Sequence, residues 1–173
     1  PTYEAALERF VRDTLEASST NPFPEQVAKW VARLGRLAAT NSLGQTLLRL
    51  TIPGMPDTYR GSEGWDLSLV DPDNRRPVDY SQHQRLLDLA ERTSQAVNDP
   101  ERRRAALGVL SEGWQDGREK LYLLRAVLRY RREHAALFRA GSYLPLAAEG
   151  TRADHVCAFA REHEGQRVIV IVP

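Results

Sequence analysis

The sequence predicts a mainly α-helical protein that closes on a short antiparallel β portion. Three observations carry this reading. Up to Gly141 the apolar residues recur at spacings of three and four, as one face of a helix requires. Beyond Gly141 they alternate or run together in short stretches typical of strands. Between them lies a stretch, PGMPDTYRGSEGWDLSLVDPDNRRPVDY at 53–80, that suits neither period and reads as a long structured loop.

The elements follow in order. Tyr3, Leu7, Phe10, Val11 and Leu15 share one helical face, and Thr2 is placed to cap its start. SSTNPFP at 18–24 breaks that helix. Pro24 suits the first turn of the next, whose stripe is Val27, Trp30, Val31, Leu34, Leu37 and Ala38. LGQTLLRL, before Pro53, is apolar enough for a buried helical stretch, and Pro53 and Pro56 force a short extended piece at about Asp57 to Arg60. Ser81 and Gln84 have capping-box spacing, so a helix is expected from about Ser81, and Asp99 with Pro100 starts another. Leu121, Leu124, Leu128 and Leu137 carry a last helical run to Gly141. SYLPLAAE, HVCAFARE and RVIVIV then read as three strands, the last two joined by a tight turn at Glu164 and Gly165. Helices first and strands last place a boundary near 141, giving regions 1–140 and 141–173.

Composition narrows the function. With 173 residues, 42% of them hydrophobic, the chain can bury a core, and 24 basic against 23 acidic residues give no global electrostatic case for nucleic acid or an anionic membrane. The basic runs ERRR at 101–104 and RYRR at 129–132 read as solvated helix faces. No apolar run approaches the roughly 20 residues of a membrane helix, so a soluble, cytoplasmic protein is expected. The single cysteine, Cys157, reads as a small core residue, and Trp30 and Trp114 as packing residues. His83, His134, His155 and His163 have no metal-ligand spacing, so no metal is expected. The chain opens on an amphipathic segment and closes on an apolar run, so both ends read as cut from something longer.

The loop carries the candidate chemistry. Loops of this length in compact domains usually bind, cover or catalyse. Tyr59, Trp65 and Tyr80 offer flat apolar faces; Asp57, Glu63, Asp66, Asp71, Asp73, Asn74, Arg75 and Arg76 offer hydrogen-bonding groups. That mixture suits a sugar, with C–H groups on the ring faces and hydroxyls around the rim. It equally suits a self-supporting loop: Glu63 tied to a nearby backbone or arginine, Arg75 and Arg76 paired with the loop's own aspartates.

Pro53, Gly54, Pro56, Tyr59, Gly61 and Glu63 resemble the segment after the eighth barrel strand in the α-amylase superfamily. The continuation WDLSLVDPDNRRPVDY at 65–80 narrows the resemblance to the maltooligosyl trehalose synthase family, with Arg60 standing where glutamine is common and Met55 where valine is. LYLLRAVLRYRREHAALFRAGSYLPL is similar to the last barrel helix running into a C-terminal β domain. The resemblance implies the last strand-loop-helix part of a (β/α)8 barrel plus the start of that β domain. It implies an isomerase of glycoside hydrolase family 13 that converts the reducing-end α-1,4 linkage of maltooligosaccharides into an α,α-1,1 linkage, without a cofactor. The catalytic carboxylates of such enzymes lie on barrel strands four, five and seven, so no catalytic residue carries over, and this piece alone is expected to be inactive and prone to self-association. Asp57, Tyr59, Glu63, Trp65, Asp66 and Arg76 are the candidate sugar-binding residues. Two alternatives stay open: a non-catalytic helical binding or assembly module, and another hydrolase or glucosyltransferase of the superfamily.

Overall fold

The computed structural model describes residues 2–68, 75–95 and 99–173. Six α-helices precede three strands among the described residues: α1 Tyr3–Leu15, α2 Phe23–Thr51, α3 Tyr80–Gln95, α4 Pro100–Glu112, α5 Arg118–Glu133, α6 Ala135–Ala140, then β1 Ser142–Leu146, β2 Cys157–His163 and β3 Gln166–Val172. Contacts divide the chain into two compact units, Pro1–Thr40 and Asn41–Pro173, with α2 running through the division.

In the first unit, Asn21 explains the break between helices. Its amide donates to the carbonyls of Asp13, Thr14 and Glu16 at the open end of α1, while its Oδ1 accepts from Phe23 N at the start of α2. One side chain thus satisfies groups at both helix ends. Thr2, expected as the α1 cap, makes no side-chain cap bond. The expected apolar stripes are present but uncovered: Tyr3, Phe10 and Leu15 on α1, and Trp30, Val31 and Leu37 on α2, are all exposed. Trp30 is therefore not the packing residue its place in the stripe suggested.

The second unit holds the core. α3, α4 and α5 contact one another, and Leu86 and Ala90 of α3, Leu110 of α4 and Leu121 and Leu124 of α5 are buried. The long helical run ending at Gly141 is two helices. His134 leaves the helical conformation at φ −118°, its ring 4.2 Å from that of Tyr130. α6 then lays Leu137 and Phe138 against β2.

The sheet runs β1-β2-β3, antiparallel throughout, with Phe159 opposite Val170 and Arg161 opposite Val168. Glu164 and Gly165, both at positive φ, form the turn between β2 and β3 as the sequence indicated. Cys157, at the start of β2, is exposed rather than a core residue.

Among the described residues the most buried polar side chain is that of Arg161. It is 1% exposed and donates to Thr51, Phe138, Gly141 and Ser142 carbonyls at 2.9–3.1 Å, with Leu137 O at 3.4 Å. Arg131 adds a bond to Leu50 O. Together the two guanidinium groups satisfy the terminal carbonyls of α2 and fasten them to α6 and β1, favoured by the negative end of each helix dipole. Burial alone pulls Arg161 below the usual arginine range, as expected for a cation held by dipoles without a carboxylate.

Residues 57–60, expected to be extended, form no strand. A strand requires a neighbouring strand to take its hydrogen bonds, and none of the described residues supplies one there.

Candidate functional site

The loop leaves α2 at Ile52 and is fixed first by its own turn. Ser62 donates to Tyr59 O through both its amide (3.1 Å) and its hydroxyl (2.6 Å). Gly61 sits in that turn at φ +87°, and a Cβ there would come within 3.1 Å of Val78. Arg49 of α2 reaches Thr58 Oγ1 at 2.8 Å.

Gly64 and Trp65 are held by the segment that joins α4 to α5 and by the start of α5. Gly64 is buried, and its carbonyl accepts from Lys120 Nζ at 2.8 Å. Trp65 Nε1 donates to Trp114 O at 2.6 Å, and the two indoles meet edge to face with centroids 6.4 Å apart. The Lys120 ammonium stands 5.9 Å from the Trp65 ring centre, within cation–π range. Gly117, at φ +85°, allows the backbones to meet: a Cβ would stand 3.0 Å from Gly64 Cα and 3.2 Å from Trp65 N. The turn between α4 and α5 thus forms a seat for residues 64 and 65. Trp65 is half-buried in that seat, so part of its ring is committed to packing.

Glu63 and Asp66 flank this anchor. Glu63 Oε2 is buried and has no hydrogen-bond partner among the described residues. Asp66 is exposed and accepts from Ser68 N at 2.9 Å. Hydrogen bonding to Ser68 holds its carboxyl below the usual range, with smaller help from Lys120 and Arg76. Lys120 is pulled below the usual lysine range by burial first and Arg49 second, while Asp66 and Glu63 oppose the shift.

Beyond Trp65 the loop encloses a cavity of about 210 Å³, lined by Arg60, Gly61, Asp66, Ser68, Arg76, Pro77, Val78, Asp79 and His83. Two acids, two guanidinium groups, a hydroxyl and an imidazole converge on it. This is a set for reading hydroxyls and other small polar groups. Asp79 is already occupied: its Oδ1 accepts from the amides of Ser81 and Gln82 at 3.0 Å and from Ser81 Oγ. It, and not the expected Ser81–Gln84 pair, caps α3, because a side chain at the position before the helix reaches the free amides directly; Gln84 turns to Asp88 instead.

Of the six residues singled out in the sequence, Asp66 and Arg76 share the cavity wall. Trp65 and Glu63 belong to the anchored side. Asp57 and Tyr59 stand exposed on the near arm of the loop. Asp71, Asp73 and Asn74 lie outside the described residues. Among the described residues no group of His, Cys, Asp or Glu could hold a metal ion, and no helix is long and apolar enough to cross a membrane.

Sequence reading missed Lys120, and gave Trp114 as a packing residue without showing that it packs against Trp65. A signal existed for each. Lys120 is one of only two lysines in a chain with 24 basic residues, and Trp114 lies in SEGWQDG, which shares the tetrapeptide SEGW with the stretch that carries Trp65.

Comparison with known proteins supports the resemblance drawn from the loop. Two Mycobacterium tuberculosis proteins, from strains CDC 1551 and H37Rv, carry the name maltooligosyl trehalose synthase and are 40% identical to this chain over 167 residues, 96% of its length. The chain is homologous to a segment of the maltooligosyl trehalose synthases. It spans 18% of the length of those relatives. The solved maltooligosyltrehalose synthase from Arthrobacter ramosus superposes with a TM-score of 0.69 at 33% identity, covering 98% of this chain and 19% of that one. A further maltooligosyl trehalose synthase structure, 24% identical, shares the fold with a TM-score of 0.70 and covers 98% of this chain and 25% of its own. No family model matches the chain.

Proposed function

We propose that this chain is the C-terminal part of a maltooligosyl trehalose synthase, and that its loop at 53–80 forms one wall of the sugar pocket. The observation that supports it most is homology at 40% identity across a segment that includes the whole loop. The parent enzyme is a cytoplasmic intramolecular transferase. It cleaves the reducing-end α-1,4 bond of a maltooligosaccharide and rejoins the released glucose through an α,α-1,1 bond, in two displacements with net retention.

Residues 1–140 contribute the end of the catalytic barrel and residues 141–173 the start of a C-terminal β domain. The catalytic acids lie outside the chain, so this piece binds and shapes but does not cleave. Asp66 and Arg76 take sugar hydroxyls at the cavity. The exposed faces of Tyr59 and Trp65 border a pyranose ring, and Asp57 and Glu63 complete the polar rim. The loop's second task is exclusion of water, which would otherwise hydrolyse the glycosyl-enzyme to free glucose.

The test is incubation of the full-length protein with maltopentaose. A non-reducing, trehalose-ended product is expected, and none from the isolated chain. Release of glucose alone by the full-length protein would favour a superfamily hydrolase; turnover by the isolated chain would overturn its non-catalytic role.

A further inference from the structure

We infer that Lys120 in the first turn of α5, with the α4–α5 turn that precedes it, is a positioning element that sets where the sugar-facing loop sits, and so governs how often the parent enzyme loses its intermediate to water. This rests on the function proposed above. The contacts are of three independent kinds. Lys120 Nζ holds Gly64 O at 2.8 Å across a separation of 56 residues. Trp114 O holds Trp65 Nε1 at 2.6 Å. Gly117, at φ +85°, gives the loop backbone an approach at which a Cβ would stand only 3.0 Å from Gly64 Cα. All three act on residues 64 and 65, immediately before Asp66 and the cavity. A displacement at the seat therefore moves the Asp66 carboxylate directly.

Lys120 also suits the job chemically. Its ammonium is a compact charge with three donors, of which Gly64 O takes one. The charges of Asp66 and Glu63 act on that ammonium and oppose the lowering that its burial causes. Arginine, used almost everywhere else in this chain, would bring a wide planar fork to a place where the backbones already touch. Glu63 is half-buried, and its buried Oε2 has no hydrogen-bond partner among the described residues.

The experiment compares full-length wild type with Lys120→Met, which keeps the stem and drops the charge, and with Lys120→Arg. Two quantities are read: the ratio of free glucose to trehalose-ended product from maltopentaose, and hydrogen exchange of the amides at 61–66. Lys120→Met is expected to raise the ratio about tenfold and to speed exchange of those amides, consistent with loss of one charge-assisted hydrogen bond. Lys120→Arg recovers part of both. Gly117→Ala, which pushes on the loop without touching the charge, shifts the ratio in the same direction. An unchanged ratio or unchanged exchange in Lys120→Met overturns the positioning role, including the case in which only thermal stability falls. A wild-type enzyme that forms no trehalose-ended product overturns the proposed function instead, before any variant is compared.

Discussion

Replacing Arg161 by Met tests the packing of the second unit most sharply. Methionine fills much of the same volume, so the change leaves little cavity and isolates the polar loss. The carbonyls of Thr51, Phe138, Gly141 and Ser142 each lose a donor at 2.9–3.1 Å, whereas Leu137 O keeps the amide of Gly141 at 3.1 Å. A buried carbonyl left without a partner costs about 1–3 kcal/mol, and such losses do not add fully because water and small shifts recover part of them. An expected loss of about 3–5 kcal/mol follows, the range seen when one member of a buried charged network is removed. In a chain of this size that is a fall of roughly 6–20 °C in melting temperature. Thermal and urea unfolding followed by far-ultraviolet circular dichroism measures it. Replacing a buried ion pair by apolar groups is often neutral, but here the acceptors are backbone and stay behind. A loss below about 1 kcal/mol would show that the carbonyls find other partners, and the fastening of α2 to the sheet would need another explanation.

Three further outcomes are expected. Asp99→Ala, which removes the acceptor for the amides of Glu101 and Arg102, should cost about 0.5–2 kcal/mol in urea unfolding, as loss of a helix cap does. Asp116, bonded to Arg118 by its side chain, has its carboxyl held below the usual range. Its contribution is therefore complete above the unfolded value of about 3.9 and is lost as pH falls through the lower folded value; Asp116→Asn should flatten the fall in urea midpoint below about pH 4, and an equally steep fall would contradict it. Finally, the stripe of Val27, Trp30, Val31 and Leu34 lines an open apolar groove of about 300 Å³ with Trp30 62% exposed. The isolated chain should self-associate or bind a hydrophobic dye; a monodisperse, dye-free monomer by light scattering would contradict this.

The helices and the final hairpin were legible because their signals are local. Apolar spacing, Asp99–Pro100 and Glu164–Gly165 act within a few residues, and the backbone obeyed them. The breaks that were missed are set at longer range. His134 ends α5 where its ring stacks on Tyr130 and its Nδ1 meets Gln166, 32 residues on. Arg161 sits in a strand motif that gives no hint of the helix ends it will satisfy, one of them 110 residues away. The site was half-legible for the same reason. Residue types singled out Asp66 and Arg76, and the two line one cavity. The seat under Trp65 could not be read, because Trp114 and Lys120 come from another element and are brought to it only by the packing of α4 and α5. Cys157 was misread as a core residue because strand alternation gives a face but not whether anything covers it.

The most direct measurement is the product ratio of the full-length protein carrying Trp65→Ala, read beside its melting temperature. Trp65 closes the anchored side of the loop with its indole nitrogen on Trp114 O and its ring edge against that of Trp114. If the loop holds the terminal glucose and bars water, removing the ring should raise free glucose relative to trehalose-ended product by roughly 5- to 150-fold, the equivalent of about 1–3 kcal/mol for a buried aromatic. A lowered melting temperature and lowered total turnover at an unchanged ratio would contradict this, and would make the loop scaffolding alone.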